Sequence, residues 1–223
     1  AAKSLGICTA EYQHGAISAG HDAYNFAPVI RDSAAYQRTL PEHFLGYGKW
    51  WNDLINAPVK KWQIGNPHRA ARLGELGVQK AAQSDLLILS DGIEFNLYLD
   101  LARSLAKNAK AIGLRIVLRP HPLERTRALQ MSKAETAALY IDSNPDLYYS
   151  LKTAHTVVSE VSTGLFEAVG IVKKIFIWDT QKSRFGYPAH PFEKFNSVET
   201  LIEKLTDKAY DIHNESFKSE DIW

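Results

Sequence analysis

The sequence is poor in sulfur and has no long apolar run. Its 223 residues include one cysteine, Cys8, so no internal disulfide can form, which is typical of a reducing compartment. No stretch reaches the roughly 18 apolar residues of a membrane-spanning helix. The opening residues, AAKSLGICTAEYQHG, lack the basic, apolar and cleavage regions of a signal peptide. We therefore expect a cytoplasmic protein in which Cys8 is a small buried residue. Because the chain does not begin with methionine, we also expect a fragment of a longer protein.

A strong charge excess is also missing. Lysine and arginine number 26, aspartate and glutamate 25, and the net charge is +1. Nucleic-acid-binding domains normally carry a marked basic excess, so we expect no nucleic-acid partner. The length and the 45% hydrophobic content are sufficient for one large domain or two small ones.

Several sequence motifs are absent. Without GxGxxG or a P-loop, neither a nicotinamide site nor a kinase-type phosphate loop is indicated, and without GxSxG an α/β-hydrolase is disfavoured. HExxH is missing, and the histidines and acids lack compact metal-ligand spacing. We expect no metal and no cofactor beyond the substrate itself.

Apolar strand-like runs do alternate with helix-period segments, which is typical of a parallel α/β sheet. Buried strands are predicted in DLLILSDG (85–92), LRIVL (114–118), HTVVSE (155–160) and KKIFIW (173–178), with a shorter run at 139–141. Helices are predicted at 93–108, 124–139, 144–154, 163–171 and 198–205. We predict an α/β fold with a doubly wound parallel sheet.

Upstream of Gln83 the pattern is looser. Short strands are indicated in LGICTAEYQHG, HFLGYGKWWNDLI and VKKWQIGNPH, and no element is indicated from His21 to Pro41. We predict a partial N-terminal region over residues 1–82 and a doubly wound domain over 83–223. The polar tail beyond Tyr210 is expected to be peripheral.

Polar residues follow the apolar strands, where open parallel sheets bind their ligands. They stand at Ser90 to Gly92, Arg119 to Pro122, Ser159 to Thr163, and Trp178 with Asp179. Three of these stretches precede a predicted helix, whose free amides suit an anion such as phosphate. In SEVSTGLFEA two hydroxyls and a glycine precede the helix. Glu167 follows one turn later, at a spacing suited to ribose hydroxyls.

His121 stands between two prolines in RPHPLE. Pro120 and Pro122 have a fixed φ and favour extended conformations at Arg119 and His121. An imidazole held in this way can donate to a phosphate oxygen or protonate a leaving phosphate, and Arg119 would add positive charge. The alternative is a turn histidine that satisfies a carbonyl group.

A second histidine, His14, ends an apolar stretch in EYQHGAIS and precedes Gly15. A histidine with a pKa near neutrality is a suitable general base for a sugar hydroxyl. A loop histidine with a local hydrogen bond remains the alternative.

Taken in order, EYQHGAIS, QIGNPH, VLRPHPLE and VVSEVSTGLFEAVG resemble the carboxyl-terminal half of a GT-B glycosyltransferase of the bacterial surface-polysaccharide type. The histidine–proline and serine motifs are similar to those of bacterial sialyl- and polysialyltransferases. The HG…HP…SS layout is similar to that of teichoic-acid glycerophosphotransferases. The resemblance covers roughly Ile7 to Trp178. It departs from the pattern in two respects, since an acidic base motif and an N-terminal acceptor domain are missing.

The resemblance implies a Rossmann-like nucleotide-binding domain and metal-independent transfer from a nucleotide-sugar donor to a polysaccharide or glycolipid acceptor, such as capsule or lipopolysaccharide. His14 would be the base, and His121 would act on the leaving phosphate. The donor-binding residues that it implies are Ser90, Gly92, Arg119, His121, Ser162, Thr163 and Glu167. A CMP-linked donor is favoured, with CDP- and UDP-linked donors as alternatives.

The implied location is the cytoplasm, and peripheral association with the inner face of the membrane stays open. Two other functions also stay open. A sugar-nucleotide epimerase of the same architecture is disfavoured because the predicted site is poor in paired acids. A non-catalytic nucleotide-sugar-binding module of a larger complex is the other alternative.

Overall fold

A computed structural model of the chain describes residues 2–77, 85–131, 136, 139–207 and 219–223. The boundary predicted between residues 82 and 83 lies outside these residues. The strands are β1 (Ala10–Tyr12), β2 (His43–Gly46), β3 (Lys60–Gln63), β4 (Asp85–Leu89), β5 (Arg115–Arg119), β6 (Tyr140–Ile141), β7 (Ala154–Ser159), β8 (Lys174–Trp178) and β9 (Glu193–Phe195).

Short and medium helices connect the strands. They are α1 (Pro28–Arg31), α2 (Ala34–Gln37), α3 (Lys49–Asp53), α4 (Pro67–Glu75), α5 (Phe95–Ala106), α6 (Ala109–Ile112), α7 (Arg125–Leu129), α8 (Leu147–Thr153), α9 (Gly164–Glu167), α10 (Gln181–Gly186), α11 (Val198–Thr206) and α12 (Ser219–Ile222). None of the helices in the described ranges has the length and apolarity that crossing a bilayer requires.

The larger sheet contains six parallel strands in the order β6-β5-β4-β7-β8-β9. Numbered from β4 as the first strand, this order is 3-2-1-4-5-6, that of the Rossmann fold. The strands that follow β4 are added first on one side of it and then, from β7 on, on the other side. Folds of this kind form a crevice at the carboxyl edge where the strand order switches in this way. The predicted doubly wound parallel sheet is confirmed.

Strand β4 shows why continuous apolar runs form this sheet. Successive side chains of a strand point to opposite faces. Leu86 and Ile88 pack on the layer that contains α5 and α11, whereas Leu87 and Leu89 pack on the layer that contains α8 and α9. All four are almost completely buried, which contributes about 1.5–3 kcal/mol for each side chain. Because helices cover both faces, the strand reads as an unbroken apolar run.

The smaller sheet contains β1, β2 and β3, also parallel. It packs against the larger unit through Trp51 of α3, whose ring centroid lies 4.6 Å from that of Phe166 in α9. The indole N–H of Trp51 donates to the carbonyl of Ile222 at 3.0 Å, and Ile222 is fully buried. The described end of the tail, α12, is therefore part of the core rather than peripheral. Residues 208–218 lie outside the described part of the chain.

Several elements differ from the predictions. Helices α1 and α2 lie in the segment from His21 to Pro41, and β9 was not predicted. The helix expected over 124–139 is described only as α7, and residues 132–135 and 137–138 of it lie outside the described ranges. Cys8 is exposed rather than buried, because it lies in the loop before β1 beside Glu42.

Candidate functional site

The histidine–proline turn follows β5 at the carboxyl edge of the larger sheet. Its imidazole is half-buried, and the backbone N–H of Leu123 donates to Nδ1 of His121 at 3.3 Å. Nδ1 is therefore the accepting nitrogen, which leaves Nε2 as the nitrogen that carries a proton. Nε2–H is a hydrogen-bond donor available to a ligand.

Gly92, in the loop after β4, lies directly against this imidazole. A Cβ at this position would come within 2.6 Å of His121 Nδ1, and the φ of +86° is one that side-chain-bearing residues rarely adopt. Only glycine allows the two loops to approach in this way. Gly92 therefore sets the position of His121.

The side chain of Ser90 holds the same turn in place through hydrogen bonds. Its hydroxyl accepts the backbone N–H of His121 at 2.7 Å and donates to the carboxylate of Glu124. Ser90 and Glu124 are both buried. The Ser90 hydroxyl is thus bonded within the turn, and its contact with a donor stays a prediction.

The guanidinium of Arg119 has partners within the protein, and its contact with a donor stays a prediction. It forms an ion pair with Asp142, in which both side chains are nearly buried. It also donates to the carbonyls of Asn144, at 2.9 Å, and Pro145, at 3.3 Å. Arg119 therefore holds the loop between β6 and α8, and the partner that neutralises it comes from that loop.

The hydroxyl-rich turn follows β7 at the same edge. The backbone N–H of Gly164 donates to the hydroxyl of Ser162 at 3.2 Å, and Thr163 is exposed. Helix α9 has only four residues and continues as turns, so the helix is shorter than expected and its dipole contributes little. The turn offers hydroxyls and backbone groups to a ligand rather than the end of a long helix.

Strand β4 brings the two turns together. It lies between β5 and β7, so the turns are separated by two strand spacings, about 10 Å. Gly92 after β4 contacts His121, and a Cβ on Gly164 would lie 2.5 Å from the Leu89 side chain of β4. Both turns therefore lie at the carboxyl edge, on the two sides of the strand where the sheet order reverses.

A cleft of about 520 Å³ opens beside the second turn, between α4 and α8. Its lining residues are His68, Arg72, Pro145, Asp146, Leu147, Tyr148 and Glu167. Arg72 of α4 forms an ion pair with Asp146 across it. The two parts of the chain therefore form its walls together, and Arg119 fixes one wall through Pro145.

Glu167 lies in the wall of the cleft. Its Oε2 accepts the Tyr148 hydroxyl at 2.6 Å and lies 3.8 Å from Nε of Arg69. Burial raises the pKa of Glu167, and the hydrogen bond from Tyr148 and the charge of Arg69 offset this only in part. Both contacts reach the same carboxylate oxygen, Oε2.

His14 is exposed, two residues after β1 ends. The preceding residue, Gln13, is buried and fixes the turn, because its side chain accepts the N–H of Tyr47 at 2.9 Å and donates to the carbonyl of Gly15 at 2.8 Å. The pKa of Tyr47 is raised by burial and further by the charges of Tyr12 and Glu167. Tyr47 follows β2 and His14 follows β1, so both lie at the carboxyl edge of the small sheet.

One group at this edge was not predicted from the sequence. Asp91, Glu94 and Glu160 bring carboxylate oxygens within 4.8 Å of one another, and Lys182 of α10 contacts all three. Their positions in the sequence show no metal-ligand spacing, and the lysine is 91 residues from Asp91. A second group, of Cys8, Glu42 and His43, lies mostly exposed at the start of the small sheet.

Solved structures with a similar fold include the wall teichoic acid polymerase TagF, in a crystal soaked with CDPG. Its TM-score is 0.60 at 12% identity, and the match covers 93% of this chain and 61% of that chain. The UDP-GlcNAc 2-epimerase of Methanocaldococcus jannaschii, in complex with UDP-GlcNAc and UDP, has a TM-score of 0.51 at 12% identity, over 99% and 68% of the two chains. The glycotransferase of kitacinnamycin has 0.55 at 14% identity, over 94% and 65%.

These likenesses establish the fold, which is that of the GT-B glycosyltransferases and of an epimerase built in the same way. The expected GT-B fold is thereby confirmed. The chain spans about three fifths of the length of the TagF structure. No protein-family model and no curated protein sequence matches the chain.

Proposed function

We propose that the protein is a glycosyltransferase, or the donor-binding part of one, that transfers a sugar from a nucleotide-linked donor to a surface polysaccharide or glycolipid. The observation that carries the proposal is the placement of the His121 turn and the Ser162 turn. Both lie at one edge of the sheet, flanking β4, with the cleft of Glu167 beside them. A nucleotide-sugar has a charged phosphate linkage between the nucleoside and the sugar. The polar edge of the sheet suits the phosphates, and the cleft beside it suits the nucleoside.

In this proposal each part of the donor has its own contact. The nucleoside lies in the cleft, where Glu167 accepts hydrogen bonds from the ribose hydroxyls. The phosphates lie along the carboxyl edge, where Ser162 and Thr163 present hydroxyls and His121 presents Nε2–H. Gly92, Ser90 and Arg119 do not need to touch the donor, because their described contacts position the groups that do.

The chemistry follows from the charge that develops on the leaving group. As the bond between the sugar and the phosphate breaks, negative charge grows on the phosphate oxygen. A preorganised Nε2–H donor at that oxygen stabilises the transition state more than the ground state. His14 would accept the proton of the acceptor hydroxyl, a role that its exposed position just after the carboxyl end of β1 permits.

Thermal unfolding with CMP, CDP, UDP and GDP tests the proposal. A ligand that binds only the folded state raises the melting temperature according to its affinity, and we expect a cytidine or uridine nucleotide to do so. His121→Ala should lower the affinity for that nucleotide by about tenfold to a hundredfold, since a hydrogen bond to a charged group contributes about 1.5–3 kcal/mol.

His21→Ala is the matched control. Its Nδ1 accepts the N–H of Ala23 at 3.3 Å, the same local bond that His121 makes with Leu123, but it lies in the N-terminal part away from the larger sheet. A panel in which no nucleotide changes the melting temperature would overturn the proposal. Equal losses of nucleotide affinity in His121→Ala and His21→Ala would contradict the role proposed for His121.

Product analysis separates the remaining alternatives. Incubation with a donor that binds should release free nucleotide slowly by hydrolysis if the protein is a transferase. An altered sugar on an intact nucleotide would identify an epimerase instead. Tight binding with neither product would identify a non-catalytic module.

A further inference from the structure

Lys182, near the start of α10, lies among three carboxylates that come from distant parts of the sequence. Its ammonium nitrogen is 2.9 Å from Oε2 of Glu94 and 3.4 Å from Oε2 of Glu160, and it donates a hydrogen bond to Asp91. Asp91 and Glu94 follow β4, and Glu160 follows β7. The group therefore joins α10 to the two strands between which the order of the sheet reverses.

The three carboxylates require a cation. Their oxygens lie within 4.8 Å of one another, and like charges this close repel more strongly in a partly buried site than in water. Glu160 is only 2% exposed, and among the described residues its Oε2 accepts no hydrogen bond. The ammonium of Lys182 is the cation that faces this oxygen. The other oxygen of Glu160 accepts the hydroxyl of Thr180.

Asp91 connects the lysine to the turn that contains Gly92. Its Oδ2 accepts the ammonium, while its Oδ1 accepts the backbone N–H groups of Ile93, at 3.0 Å, and Glu94, at 3.2 Å. Gly92 lies within this turn. A rotation of the Asp91 side chain would break both backbone bonds and release the loop that packs on the imidazole.

We infer that Lys182 is a tethered cation, whose ammonium fills a site made by Asp91, Glu94 and Glu160 and thereby fixes the loop that holds Gly92 against His121. Lys182 is a positioning residue and touches no reacting atom. Its effect on transfer rests on the proposed function, whereas its occupation of the carboxylate site does not.

The directions of the pKa shifts of Lys182 and Asp91 agree with these contacts. Burial acts to lower the pKa of Lys182, but the hydrogen bonds to Asp91 and Glu94 outweigh it and the pKa is raised. Burial acts to raise the pKa of Asp91, but the bonds from Lys182, Ile93 and Glu94 outweigh it and the pKa is lowered. The lysine and the aspartate are therefore both charged at neutral pH.

Binding of Mn²⁺, followed by electron paramagnetic resonance, tests the cation site without any nucleotide. Lys182→Met removes the charge and keeps the apolar stem, so the three carboxylates become free for a metal ion. We expect this variant to bind one Mn²⁺ about tenfold or more tightly than the unmodified protein, since carboxylates are suitable ligands for Mn²⁺. Adding Glu160→Gln should abolish the gain.

Lys49→Met is the control for this titration. It also removes a lysine that is paired with an aspartate, Asp53, but on an exposed helix surface. The inference would be overturned if Lys182→Met binds Mn²⁺ no more tightly than Lys49→Met while circular dichroism shows that it is folded. The imidazole resonances of His121 should shift in Lys182→Met and return toward their original positions in Lys182→Arg.

A second measurement uses the unmodified protein and does not depend on the folding of a variant. Under limiting acetic anhydride an amine reacts in its neutral form, so an ammonium held by three carboxylates should react slowly. We expect Lys182 to be acetylated about tenfold or more slowly than Lys49, as measured by peptide mass spectrometry. Equal rates would contradict the occupation of the site. Neither measurement involves nucleotide binding, so failure of the inference is distinct from failure of the proposed function.

Discussion

At the scale of single residues, Gly92 is constrained in two ways beside the candidate site. Its positive φ and its contact with the imidazole are two separate reasons for glycine. We expect Gly92→Ala to lower the free energy of unfolding by about 1–2 kcal/mol through the backbone alone, and also to displace His121. The displacement should appear as shifted imidazole resonances and as weaker nucleotide binding.

Gly113→Ala separates the two effects. Gly113 has a φ of +72°, but no atom lies within 4 Å of where its Cβ would be. This variant should lose similar stability without changing the His121 resonances. Identical imidazole spectra in the two variants would contradict the role assigned to Gly92.

Glu167 gives a prediction about pH, because burial raises the pKa of its carboxyl above the ordinary 4.5. The folded protein therefore holds this proton more tightly than the unfolded chain does. The stabilising contribution is fully present below pH 4.5 and is lost as the pH rises through the folded value. Glutamine does not ionise. The free energy of unfolding of Glu167→Gln, relative to the unmodified protein, should therefore increase with pH.

Urea titrations of both proteins at several pH values from about 4 to 7 measure this difference. A difference that stays constant or falls across the range would contradict the raised pKa of Glu167. His68, Tyr148 and Arg69 face the same carboxyl. None of these partners is changed by the substitution.

At the scale of elements, the four-residue helix α12 depends on burial rather than on its own helical stability. Ile222 is fully buried, and its carbonyl accepts the indole of Trp51. We expect Ile222→Ala to cost about 2–5 kcal/mol of unfolding free energy. Urea unfolding followed by tryptophan fluorescence measures it.

Ile93→Ala provides the comparison, since Ile93 is 77% exposed. It should change the unfolding free energy by no more than about 0.5 kcal/mol. Losses of the same size in both variants would mean that α12 is not docked as described.

The elements that could be predicted are those with a strong periodic or continuous apolar pattern. Strands β4, β5, β7 and β8 were found because helices bury both of their faces, which leaves an apolar run in the sequence. Strand β9 was missed because it has three residues, Glu193 to Phe195, and pairs only along one edge. The short helices α1 and α2 have no buried residue and therefore no apolar period.

The candidate site could be predicted only as a set of strand ends. The rule that parallel sheets bind ligands at their carboxyl edge places the turns of His121 and Ser162 together. The ion pair of Arg119 with Asp142 and the contacts of Lys182 depend on which loops meet in space. No local sequence pattern indicates which loops meet in space, so these contacts could not be predicted.

At the scale of the whole molecule, the carboxyl ends of both sheets contribute to one region. The cleft has α4 from the first part of the chain on one side and α8 with α9 from the second part on the other. A ligand in the cleft would contact both parts, while its charged portion would reach the edge of the larger sheet. The account depends on this continuity between the cleft and the two turns.

A crystal structure of the protein with the most tightly bound nucleoside diphosphate of the panel tests this continuity most directly. The account predicts a ribose at Glu167 and a phosphate oxygen about 3 Å from Nε2 of His121. A nucleotide bound at the amino edge of the sheet, or one in the cleft with its phosphates directed away from His121, would contradict it.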